Sequence, residues 1–95
     1  MNIKALHTAD KPVEARHLFN NTQGQISSIH IQAGQELKAH KTPVPALLIC
    51  ISGEAVFTNE QQETYTLRTG DHVHIAPDVL HWVNAREDSY LLLCK

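Results

Sequence analysis

Seven histidines stand beside eight lysines and arginines in this chain, so imidazole is the side chain on which its chemistry has to be built. A neutral imidazole ligates a divalent metal ion through one ring nitrogen, and near neutral pH it takes up or releases a proton. His72 and His74 alternate with Val73 and Ile75, which puts both rings on one face of a strand. That face belongs either to a pocket or to solvent, and Val73 with Ile75 already supplies a sufficient buried side for the solvent arrangement. His7, His17 and His30 belong to no pattern and are expected to face water. The other familiar catalytic sets are missing: there is no Gly-x-Ser-x-Gly elbow, no glycine-rich phosphate loop and no carboxylate pair of the glycosidase kind. Cys50 and Cys94 form no Cys-x-x-Cys and read as reduced thiols, Cys50 as a small buried apolar residue. Asp71, directly after Gly70, reads as a turn residue whose carboxylate caps local N–H groups, and Glu54 and Glu63 as solvated hairpin positions.

The elements that must position these groups are strands. Beyond a short turn around residues 3–7, no apolar recurrence of helical period is present, while strand signals come at the spacing of a sandwich or barrel. Strands are predicted over 15–19, 26–32, 36–40, 47–51, 54–58, 64–67, 72–76, 81–84 and 90–94. In the second of these, Ile29 and Ile31 take one face and Ser28, His30 and Gln32 the other. The breaks fall at Asn20 to Gly24, Gly34, Pro43 and Pro45, Gly53, Asn59 to Gln62, Gly70 and Pro77. Short connections and no linker or repeat suit an all-β jelly roll or closed barrel, with residues 1–95 forming one domain.

Composition narrows the partners. Apolar residues make up 42% and charged residues 19%, the proportions of an ordinary globular chain. A formal charge of −2 offers no basic surface to nucleic acid, and protonating all seven histidines would carry it to +5. Residues 1–6 hold no signal-peptide run, and no stretch reaches membrane-span length, so a cytoplasmic protein without membrane contact is expected.

Two stretches resemble the paired motifs of the cupin superfamily. The first, residues 34–53, runs Gly34-QELKA-His40-Lys41-Thr42-PVP-Ala46-LLICIS-Gly53. Both glycines and His40 fall at the family spacing, while Thr42 stands at the second histidine and Ala46 at the glutamate. The second, residues 70–84, runs Gly70-DHVHI-Ala76-Pro77-Asp78-VL-His81-WVN. Gly70, Asp71 and His81 match; Pro77 and Asn84 are each displaced by one place, and Asp78 replaces a glycine. The resemblance implies a double-stranded β-helix with an inward pocket lined by His40, Thr42, Ala46 and His81. In metal-binding cupins these positions hold one divalent ion such as Fe, Mn, Ni or Zn, and only His40 and His81 carry over as ligands. A transition-metal site usually needs three protein ligands. Cys50 lies about 13 Å along the strand from Ala46, too far for a metal–sulfur bond of about 2.3 Å. His74, and after it His72, is the candidate third ligand if that strand face points inward.

Three functions follow as expectations. The first is a barrel that binds a small molecule in its pocket without assured catalysis. The second is a metal-dependent enzyme of the dioxygenase or isomerase kind built on His40 and His81. The third is a structural or interaction module whose barrel is filled by runs such as 47–51 and 90–93. A homodimer is expected, because strands apolar on both faces need a cover.

Overall fold

Alternation of burial along each strand decides which face turns inward. The computed structural model describes all residues, Met1–Lys95, and contains nine strands. They are β1 Val13–Asn21, β2 Gly24–Ile31, β3 Glu36–His40, β4 Ala46–Ser52, β5 Glu54–Asn59, β6 Thr64–Arg68, β7 His72–Ile75, β8 His81–Ala85 and β9 Ser89–Cys94. A 3-10 turn over Ile3–Leu6 precedes them, where the sequence places its one short turn. On β4, Ala46, Leu48 and Cys50 are buried while Leu47, Ile49 and Ile51 are half-exposed. On β5 the inward set is Ala55, Phe57 and Asn59.

The strands form two antiparallel sheets, one ordered β1-β2-β9-β4-β7 and the other β3-β8-β5-β6. Thirteen buried apolar side chains lie between them, with Phe57, Ile31, Leu91 and Val83 the largest that are fully enclosed. This is the all-β jelly roll the strand spacing implies. No helix is long and apolar enough to cross a membrane.

The turns carry the strain the sequence marks. Gly53 joins β4 to β5 at φ +96°, and a Cβ there would meet the Asp88 carbonyl oxygen and, at 2.7 Å, Ser89 Oγ. Asp78, at a position where the motif has glycine, adopts φ +61°, a conformation that aspartate tolerates better than most residues. Asp71 caps as expected: its Oδ2 accepts the Arg68 N–H at 2.8 Å.

Two features depart from the sequence reading. His7 and His30 do not face water: the His7 side chain is 1% exposed and His30 is 4% exposed, because the N-terminal segment lays His7 on the outer face of the first sheet next to His30. His17 is exposed. Glu54 is half-buried rather than freely solvated, bridging Arg68 at 3.0 Å and Arg86 at 3.5 Å.

Candidate functional site

His40 and His81 come together at one end of the second sheet. They are direct cross-strand partners on β3 and β8, and their ring centroids are 4.4 Å apart. An irregularity between Leu37 and His40 makes this possible. Leu37 packs against the core, and without the shift a residue three places on would turn to the opposite face. Asn59 on β5 stands across from His81 on its other side, so His40, His81 and Asn59 form one row. Phe57 stacks against the His81 ring at 5.6 Å and 24°.

The protonation pattern of the pair follows from its partners. His40 Nδ1 lies 3.0 Å from the Lys38 carbonyl and His81 Nδ1 lies 3.0 Å from the Val79 carbonyl. A carbonyl only accepts, so each Nδ1 is the N–H donor, and in the neutral ring each Nε2 keeps a lone pair. Burial pushes the His81 pKa below its ordinary value, with the nearby His40 and Lys95 adding to the effect against the Val79 hydrogen bond. The only fully buried side-chain polar atom without a partner is His30 Nδ1, so His81 Nε2, which bonds no protein group, keeps solvent contact. His40 is half-buried and opens onto a groove of about 590 Å³ along β3, lined also by Val13 and Leu37.

The remaining predicted site residues do not join this pair. Thr42 is buried, but its hydroxyl donates to the Val44 carbonyl at 2.9 Å inside its own loop. Ala46 is buried at the start of β4, opposite Ile75. The groove that reaches His40 is lined by neither of them, nor by His81. His72 and His74 lie exposed on the outer face of the first sheet, their rings 5.6 Å apart, while Val73 and Ile75 turn inward. The three-histidine site of His40, His81 and His74 is therefore corrected: strand parity sends His74 away from the barrel interior. No group of three His, Cys, Asp or Glu side chains is placed to hold a metal ion anywhere in the chain. Two imidazoles fall short of the three protein ligands such a centre usually needs. Cys50 is fully buried, and burial pushes its thiol pKa up, with Asp71 adding to it against the Ser52 hydrogen bond, which leaves it inert.

Sequence reasoning missed Asn59, whose polar type hides among hairpin residues. Its Oδ1 accepts the Gln61 and Glu63 N–H groups at 3.0 and 3.1 Å, and its Nδ2 donates to Glu63 Oε1 at 2.9 Å. It also missed a second polar cluster, His7, Glu14, Ser28, His30 and Asp88, because nothing in residues 1–12 signals that the segment covers the sheet.

Comparisons with known proteins agree with this architecture. A search of curated proteins finds no match to the chain. Among solved structures, a conserved protein of unknown function from Streptococcus pyogenes superposes with a TM-score of 0.79 at 28% identity, covering 92% of this chain and 75% of the other. A cupin superfamily protein from Desulfitobacterium hafniense gives 0.86 at 17% identity, covering 98% and 84%. An RmlC-like cupin with a double-stranded β-helix fold from Methanocaldococcus jannaschii gives 0.77 at 24% identity, covering 94% and 84%. The family model described as Cupin domain matches residues 27–94, most of the chain and both motif stretches, and the chain belongs to that family.

Proposed function

We propose that this small cupin binds a small molecule at the His40–His81 end of its barrel and does so without a resident metal ion. The observation that supports this most directly is the pair of Nε2 lone pairs, freed because both Nδ1 groups are committed to backbone carbonyls. Two imidazole acceptors, with His40 at a groove lined in part by Val13 and Leu37, suit a ligand that carries an O–H or N–H donor on a partly apolar body. Titrating phenol into the protein while following the side-chain ¹⁵N shifts of both histidines tests this reading. Saturable movement of both Nε2 signals, abolished in His40→Ala, is the expected result. Movement that persists in His40→Ala, or none at millimolar phenol, would contradict it.

A filled scaffold is the competing reading, favoured by the thirteen-residue core that occupies the space between the sheets. The two readings part at the His40–His81 end, since a scaffold has no use for uncommitted imidazole nitrogens there.

The chain is also proposed to pair with a second copy of itself through the outer face of the first sheet. Phe19 stands opposite Ile26, Ile26 opposite Cys94 and Cys94 opposite Leu47, an apolar row across four strands. Leu92 opposite Ile49 forms part of the next row. The molecule measures 34 × 33 × 22 Å, and two sheets stacked about 10 Å apart account for the short axis. The part of this broad face that residues 1–11 leave uncovered is where such a dimer would bury the roughly 800 Å² per partner of an ordinary stable interface.

A further inference from the structure

The N-terminal segment has little apolar anchorage. Its 3-10 turn, Ile3–Leu6, contains no buried residue. His7, immediately after it, is nevertheless the deepest group of the segment, and both its ring nitrogens are engaged: Nδ1 is 2.8 Å from Glu14 Oε1 and Nε2 is 2.8 Å from Ser28 Oγ. Glu14, on β1, is itself buried, and its Oε1 also accepts the Thr8 N–H at 3.2 Å. Two weaker ties are exposed: Gln32 Nε2 donates to the Ala9 carbonyl at 2.7 Å, and Arg16 donates to the Leu6 carbonyl at 3.1 Å. Polar contacts centred on one buried imidazole hold the segment down. The order serine, histidine, carboxylate has the form of a nucleophile relay. Ser28, however, is fully buried, and His7 belongs to the segment that covers it, so no substrate meets the hydroxyl while the relay is assembled.

We propose that residues 1–11 form a latch on the outer face of the first sheet, pinned by His7 and released when the Glu14 carboxylate takes a proton. A neutral His7 accepts the Ser28 O–H at Nε2, and a charged one donates to the same oxygen, so both bonds survive in either state. The charged groups around the pin are Lys11, 3.5 Å from Glu14 Oε2, Arg16 at 3.9 Å from the same atom, and Lys4 over the Tyr90 ring. The rings of His30 and Tyr90 lie 5.6 and 5.9 Å from His7, and Asp88 is committed to His30 at 2.9 Å. Neutralising Glu14 therefore leaves His7 among cations with no free carboxylate in contact. Burial pushes the Glu14 carboxyl up, but the His7 and Thr8 hydrogen bonds and the Lys11 charge outweigh it and hold it below 4.5. The latch thus stays shut through neutral pH and opens as the pH falls through that lowered value.

Backbone ¹⁵N relaxation on the full chain tests this. In the wild type, residues 2–9 are expected to keep order parameters of about 0.85 from about pH 7 to about pH 5.5, and to fall below about 0.6 only as the pH drops through the lowered Glu14 value. Glu14→Gln is expected to show the same loss already at about pH 7, with Ile31, Leu48 and Leu91 in the barrel remaining rigid. An ordered segment in Glu14→Gln at about pH 7 would overturn the proposal. Loosening of the wild type between about pH 7 and about pH 5.5 would overturn it too, since that range belongs to histidine. Loss of order through the whole barrel would make Glu14 a part of the core rather than a latch.

Discussion

Of the two motif histidines, His81 is the one whose surroundings disfavour its charged form. His81 is almost wholly enclosed and stacks on Phe57, so its charged form is disfavoured by burial first and by His40 and Lys95 after it. A histidine whose folded pKa lies below its ordinary 6.5 stabilises the fold above that value and loses this contribution as the pH falls through 6.5 toward the folded pKa. Thermal melts are accordingly expected to show a falling Tm below about pH 6.5, with a shallower fall in His81→Asn. Equal slopes in the two proteins would remove His81 as the cause. At this scale the sequence was legible only where spacing carried the signal. The cupin resemblance, carried by Gly34, Gly53 and Gly70, implied that His40 and His81 share one pocket, and the register brings them face to face. His7 and His30 were illegible, because their burial depends on a covering segment that lacks an apolar pattern of its own.

Strand positions were readable because inward residues alternate with outward ones, and β3 is found over the same residues that the pattern predicts. Ends were less readable. β1 runs to Asn21, through residues that read as a turn, because its pairing with β2 continues to Asn21 and Gly24 across a register shift between His17 and Phe19. The face of His72 and His74 could not be decided by periodicity, since period two places them together but names no side. The β4–β5 connection gives a prediction for the elements. Gly53→Ala imposes a left-handed alanine and a collision with Asp88 and Ser89 from the start of β9, whereas Gly34→Ala, at φ +82° with nothing within 4 Å, imposes strain alone. Denaturant midpoints are expected to show a loss of more than about 3 kcal/mol for Gly53→Ala and about 1–2 kcal/mol for Gly34→Ala. Comparable losses would mean that the contact with Asp88 and Ser89 relaxes freely.

Two surfaces matter for the molecule as a whole, the apolar outer face of the first sheet and the His40–His81 end of the barrel. Light scattering at micromolar concentration is expected to give twice the 10.6 kDa chain mass, and Ile26→Glu to give a monomer, because a carboxylate between Phe19 and Cys94 in that row cannot be buried unpaired. A wild-type monomer would leave the face uncovered and remove the dimer. The central claim concerns the barrel end, where His40 and His81 meet with no third His, Cys, Asp or Glu placed to hold a metal ion. Elemental analysis of protein purified without chelators or a nickel column tests it most directly. The account predicts Fe, Mn, Ni and Zn well below one ion per chain, with no difference between wild type and His74→Ala. One ion per chain, lost in both His40→Ala and His81→Ala, would contradict it.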